Sequence, residues 1–161
     1  MAIKTQTLKI VPYEQSRAGF CGPAALRILL SYFGVLKSEK FLVGLCGATV
    51  SRGTRPDRLV RAAKRLGFKV RYDENGSWKI LNDYINQKRL PVLVDWFMVN
   101  DGHYSVVCGL DKKTIWLADP SSGKIISMSW KVFRRVWFDF EGDFLPVKEK
   151  LSLRLWMVID A

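Results

Sequence analysis

The chain has one histidine, three cysteines and 15 acidic residues against 26 basic ones, and each scarcity removes a class of function. Cys21, Cys46 and Cys108 are odd in number and fall at no metal-ligand spacing. Neither a disulfide framework nor a zinc site is therefore expected, and no cofactor is implied. Free thiols fit a reducing compartment. No stretch approaches the ~18 uninterrupted apolar residues of a membrane span, and residues 1–9 lack the apolar core of a signal peptide. A soluble protein retained in the cytoplasm is the expectation. Repeats, low-complexity tracts and a Pro/Gly/Ser linker are also missing, so residues 1–161 read as a single domain large enough to bury its own core.

The shortage of acid leaves a net charge of +11, which suits a nucleic-acid surface, an acidic peptide partner or plain solubility. Its placement favours the last two. Arg58, Arg61, Lys64 and Arg65 lie between Leu59, Ala62, Ala63 and Leu66, whose spacing marks the buried side of a helix. The basic residues are the other side of that helix, and no nucleic-acid-binding motif accompanies them. The expected partner is a peptide or protein substrate, an acidic one included, and no nucleic acid.

What is present is order and pattern. A hydrophobic fraction of 48% with six tryptophans argues for a packed core. Residues 22–33 are apolar nearly all round, with Pro23 in the first turn and Gly34 at the end, as in a buried helix. Further helices are predicted over 38–45, 56–66 and 77–87, with a short one over 129–136. Strands are predicted over 68–72, 91–96, 104–110, 114–118, 124–128 and 151–159. Helices come first and strands second, which is an α+β layout with a mainly antiparallel sheet.

Two short motifs carry chemistry. Residues 15–23, Gln-Ser-Arg-Ala-Gly-Phe-Cys-Gly-Pro, set Cys21 at a helix start, where unpaired N–H groups and the helix dipole favour a thiolate. The lone histidine, His103, stands in Asp-Gly-His-Tyr-Ser-Val-Val, and a Cys/His enzyme needs one such base. A turn at 111–112 folds strand 104–110 onto 114–118. A two-residue loop sets His103 opposite Pro120, and a loop one residue longer sets Asp119 opposite Ser105. Either register leaves the Asp119 carboxylate near the imidazole, where it can hold the ring's tautomer. Asp101 and Asp139 are weaker rivals for that role. The Gln15 amide and the Cys21 N–H together suit an oxyanion hole. Trp96, Phe97 and Met98, with Gly102, are candidates to line a peptide groove, although aromatic packing is the better reading for the first three. Cys46 and Cys108 read as packing residues.

Gln15, Cys21-Gly22-Pro23-Ala24-Ala25-Leu26, Gly102-His103-Tyr104-Ser105-Val106-Val107 and Asp119-Pro120 resemble the papain-like peptidases of the bacteriocin-processing, double-glycine leader family. The resemblance covers about residues 8–140 in the order Gln, Cys, His, Asp. It implies a papain-like fold, with the nucleophile on a buried helix of the N-terminal helical part, packed on a C-terminal antiparallel sheet. It also implies nucleophile Cys21, base His103, orienting Asp119, oxyanion-hole Gln15, and a cut after a small-residue pair in a leader peptide. Many members carry an acidic residue where this chain has Phe20. Acyl transfer or deamidation would use the same groups, and a peptide-binding module without turnover or a basic nucleic-acid binder are the readings outside enzymes.

Overall fold

In the computed structural model, which describes residues 7–161, the N-terminal third folds as three helices. Helix α1 (Cys21–Tyr32) buries Gly22 to Leu26 and Ile28 to Leu30, and Gly34 follows it at φ +77, a conformation that favours glycine. Helix α2 (Glu39–Cys46) starts at Ser38, whose hydroxyl accepts from the Phe41 N–H, and closes at left-handed Gly47. Helix α3 (Pro56–Arg65) buries Leu59, Ala62 and Ala63 and leaves Arg58, Arg61, Lys64 and Arg65 exposed. The basic stripe is the solvated face that its periodicity predicts.

The sheet has six strands in the order β1-β8-β2-β3-β4-β5, every pair antiparallel. These are β1 (Lys69–Asp73), β2 (Val92–Met98), β3 (Asp101–Leu110), β4 (Thr114–Asp119), β5 (Lys124–Ser129) and β8 (Trp156–Asp160). Strands β2, β3 and β4 are central and nearly continuous in buried residues, because helices cover the sheet. Helix α1 packs on β3, and a single core cluster joins Leu26, Leu29 and Leu30 to Val92, Leu93, Val106 and Met157. Helix α5 (Trp130–Val136), capped by Ser129, places Phe133 against Trp96.

Three elements depart from the sequence pattern. The helix predicted over 77–87 starts at Ser77 as expected but is α-helical only over α4 (Trp78–Asn82), and Asp83–Lys88 continues as a wider π-type turn. There Asn86 bonds both the Asn82 side chain and the Leu110 carbonyl, so a tertiary contact accompanies the altered ladder. The strand predicted over 151–159 is broken. Its first part, β7 (Ser152–Leu153), pairs with β6 (Phe138–Asp139), which the sequence pattern did not suggest, while β8 joins the main sheet. Arg154 between them has φ +51, donates its N–H to Trp137, and lends its guanidinium to Gly76. A left-handed residue cannot continue a strand, and the change of partner requires that break.

The β3–β4 register resolves the two hairpin alternatives. Leu110 pairs with Ile115 rather than Lys113, and a bulge between Val107 and Gly109 brings Val106 opposite Ala118. Continuing that register sets Asp119 opposite Ser105, the position of the longer-loop alternative, although the turn itself matches neither expected loop and the bulge makes up the difference.

Candidate active site

Cys21 is the first residue of α1, and its own N–H lies among the orphan donors of the first turn. The loop before it is fastened at two points. The Gln15 N–H donates to the Pro120 carbonyl at 2.8 Å, which ties this loop to the end of β4. Ser16 donates its N–H to Glu39 at 2.9 Å and its hydroxyl to the other carboxylate oxygen. Glu39 is buried at the start of α2, so two helix starts share one anchored loop. Sequence reading missed Glu39, because an acid in a helix's first turn is ordinary on dipole grounds alone.

His103 faces Asp119. Its Nε2 lies 2.5 Å from Asp119 Oδ1, with both side chains buried. Cys21 also acts on the imidazole and favours its charged form, and with Nε2 engaged the nitrogen left for sulfur is Nδ1. Burial disfavours the charged ring, yet Asp119 and Cys21 outweigh it and lift His103 to a pKa of about 9. Burial likewise opposes the Asp119 charge, but hydrogen bonds from His103 and Ser121 hold the carboxyl well below the usual carboxylate range. Asp119 also accepts from the Ser121 hydroxyl at 2.6 Å, from the N–H groups of Ser121 and Ser122, and from Ser105 at 3.4 Å. The Asp-Pro-Ser-Ser-Gly segment is thus both a turn and an anion cage, a dual role that turn composition concealed.

Trp96 is 5% exposed; it sets its ring edge-on to His103 at 5.9 Å and donates Nε1–H to Ser105. It packs behind the histidine and presents no face to a groove. Gly102 lies beside the site, and a Cβ there would collide with the Asp139 carboxyl. Asp139 accepts from the Phe140 N–H at 2.7 Å and lies against Gly102, so this weaker rival for orienting His103 is engaged elsewhere, while Asp101 is exposed and accepts from the Gly102 N–H. Gln15 donates Nε2–H to the Arg17 carbonyl at 2.9 Å, and its Oε1 is buried without a donor. Cys46 and Cys108 are buried, and burial pushes both thiols up to about 12. Among the described residues no group of His, Cys, Asp or Glu is arranged to hold a metal ion, and no helix is long and apolar enough to cross a membrane.

A thiol, an imidazole and a carboxylate in a line, with the thiol at a helix start, can form a thiolate–imidazolium pair and attack a carbonyl carbon. Comparison with known proteins agrees with such chemistry. The model of the Peptidase C39 family matches residues 9–140. An uncharacterized protein of Methanothermobacter thermautotrophicus is 35% identical over 134 residues, 83% of this chain and 85% of that one. A Lactococcus lactis protein, lactococcin transport/processing ATP-binding protein LcnC-like, is 28% identical over 142 residues, which are 82% of this chain and 19% of that protein. Among solved structures, the peptidase domain of Streptococcus ComA, a bi-functional ABC transporter, superposes with a TM-score of 0.69 at 26% identity, covering 94% of this chain and 97% of that one. A double glycine motif protease from an AMS/PCAT transporter, solved with its leader peptide, gives a TM-score of 0.73 at 18% identity, covering 95% and 92%.

Proposed function

Because this chain belongs to the peptidase C39 family and is a cysteine peptidase of papain-like fold, we propose that it cuts a peptide after a small-residue pair such as Gly-Gly, using Cys21, His103, Asp119 and Gln15. The Cys21 thiolate attacks the scissile carbonyl carbon. The resulting oxyanion takes hydrogen bonds from the Cys21 N–H and from the second N–H of the Gln15 amide, the first being given to Arg17. His103 passes its proton to the departing amine, leaving a thioester. It then takes a proton from water, whose hydroxide attacks the thioester and frees the carboxylate product and the thiol. Asp119 keeps Nδ1 of the ring aimed at sulfur and stabilises the imidazolium.

The observation that carries this reading is one buried imidazole hydrogen-bonded to a caged carboxylate, with the Cys21 thiol at a helix start acting on the same ring. The small-residue preference is supported by the likeness to a double glycine motif protease solved with its leader peptide. A leader or precursor peptide is the substrate class we propose, and the three free thiols support a reducing, cytoplasmic setting.

Mass spectrometry of peptide-library digests tests the proposal. Wild type should yield cuts after small-residue pairs and Cys21→Ala none; cuts that persist in Cys21→Ala overturn it. Gln15→Ala should lower kcat by ~100-fold with little change in KM, as when one oxyanion donor is lost. An unaltered kcat in the folded variant removes Gln15 from the site.

A further inference from the structure

The protein carries 26 basic and 15 acidic residues, yet four of the acids gather beside the Cys21 cleft. Asp95 on β2 stands across from Tyr104, and Phe97 across from Gly102, so this strip adjoins His103 on β3. Asp95 is 3% exposed, and the Asp139 carboxyl, set against Gly102 on the neighbouring strand, is close enough for the two acids to act on each other. Two carboxyls at this separation disfavour each other's charge. Burial is the main force lifting Asp95 well above the ordinary carboxylate range, and the Asp139 charge adds to it. Burial lifts Asp139 as well.

A pair of this kind is costly to keep, and the Phe140 N–H, which donates to Asp139 Oδ1 at 2.7 Å, offsets the cost on the Asp139 side only. Asp95 Oδ1 is buried with no backbone N–H, hydroxyl or basic group on it among the described residues. Asp139 lies half-buried against the Gly102 backbone, held there by Phe138 and Phe140, whose rings stack on Phe97 at 5.2 Å. Exposed Asp101 and Glu141 add their fields at Asp139. No basic side chain forms an ion pair with any of the four among the described residues. Arg55, the basic group that senses Glu141, gives its hydrogen bonds to Asp57. A buried acceptor without a donor, in a cluster of four acids with which no basic side chain forms an ion pair among the described residues, leaves a negative charge that a group from outside can match.

We propose that Asp95 and Asp139, rimmed by Asp101 and Glu141, form a specificity subsite that takes a lysine or arginine side chain of the peptide substrate, flanking the small pair at the scissile bond. The cation pairs with the half-buried Asp139 carboxyl and offsets the charge of Asp95 behind it, and a proton carried by either carboxyl passes to water. The basic outer face of α3 and this acidic pocket then act on different parts of a substrate. The inference rests on the peptidase reading above.

Its test uses peptides built on a small-residue pair, with one lysine or arginine moved through each position on both sides of the bond and a glutamine series for comparison. At one position the basic residue should raise kcat/KM ~10-fold over glutamine, more at low salt, as for a charge-assisted contact. Asp139→Asn should bring that ratio close to one. Asp101→Asn and Glu141→Gln, at exposed positions where folding is not at stake, should each lower it two- to threefold, by ~0.4–0.7 kcal/mol from RT ln of the ratio. A ratio near one at every position while glutamine peptides are cut overturns the subsite alone. So does a ratio that survives in all three variants. A protein that cuts neither series overturns the peptidase reading and this inference with it.

Discussion

Asp119→Asn is expected to leave the protein folded and to lower kcat/KM by about 10³- to 10⁴-fold, the scale seen when the acid of a serine-protease triad becomes an amide. The loss follows from the tautomer. Asp119 Oδ1 accepts from His103 Nε2 at 2.5 Å, which leaves Nδ1 as the nitrogen that receives the thiol proton. An amide at position 119 can present its NH₂ to Nε2, move the ring proton to Nδ1, and remove the base from the sulfur. The N–H groups of Ser121 and Ser122 and the Ser121 hydroxyl can still hold the amide oxygen, so the turn persists. Circular dichroism checks the fold, and steady-state kinetics on a cleaved library peptide give the rate. A folded Asp119→Asn protein with kcat/KM within tenfold of wild type overturns the assignment. Loss of activity in Asp101→Asn instead would contradict the register that sets Asp119 opposite Ser105.

The residues that could be read from sequence are those whose local pattern and chemical role coincide. A cysteine between a loop and an apolar helical run, and a lone histidine between Gly102 and a strand, each announce a backbone setting and a reactive group together. The hairpin was readable only to within one residue, because the turn that follows Leu110 and the bulge near Cys108 together set the register. The break at Arg154 and the strand Phe138–Asp139 were not readable at all. Both arise from non-local partners, Trp137 and Gly76 for the first and Ser152–Leu153 for the second. The same reason hid Asp95. In sequence it sits in Val-Leu-Val-Asp-Trp, an acid interrupting a buried strand, and its meaning appears only when Asp139, 44 positions on, is folded against it. Glu39 is the parallel case on the helical side, since its partner Ser16 lies 23 residues earlier.

A limiting dose of iodoacetamide near pH 7 is expected to modify Cys21 first, to abolish activity in proportion, and to leave Cys46 and Cys108 untouched in the folded protein. Alkylation needs a thiolate and access to it. Cys46 and Cys108 have neither, since both are buried and burial pushes their thiols up to about 12. Cys21 is partly exposed, begins a helix and acts on the His103 ring. The imidazolium beside it sets the pH dependence. His103 is raised from its ordinary 6.5 to about 9 in the folded protein, so the charged ring persists through neutrality and is lost as pH rises through about 9. Its contribution to stability has the same sign: full below 6.5, where the unfolded histidine is also charged, and lost as pH rises through about 9. Peptidase activity should accordingly decline on the alkaline side near pH 9, where the proton needed by the leaving amine is gone. His103→Ala should slow labelling of Cys21 at pH 7 by an order of magnitude or more, because the thiolate loses its counter-charge. Above pH 9 the labelling rates of wild type and variant should converge, since the wild-type ring is then neutral. Peptide mapping after alkylation decides the matter: modification of Cys46 or Cys108 ahead of Cys21, or a Cys21 rate at pH 7 indifferent to His103, would mean that no thiolate–imidazolium pair forms at this site.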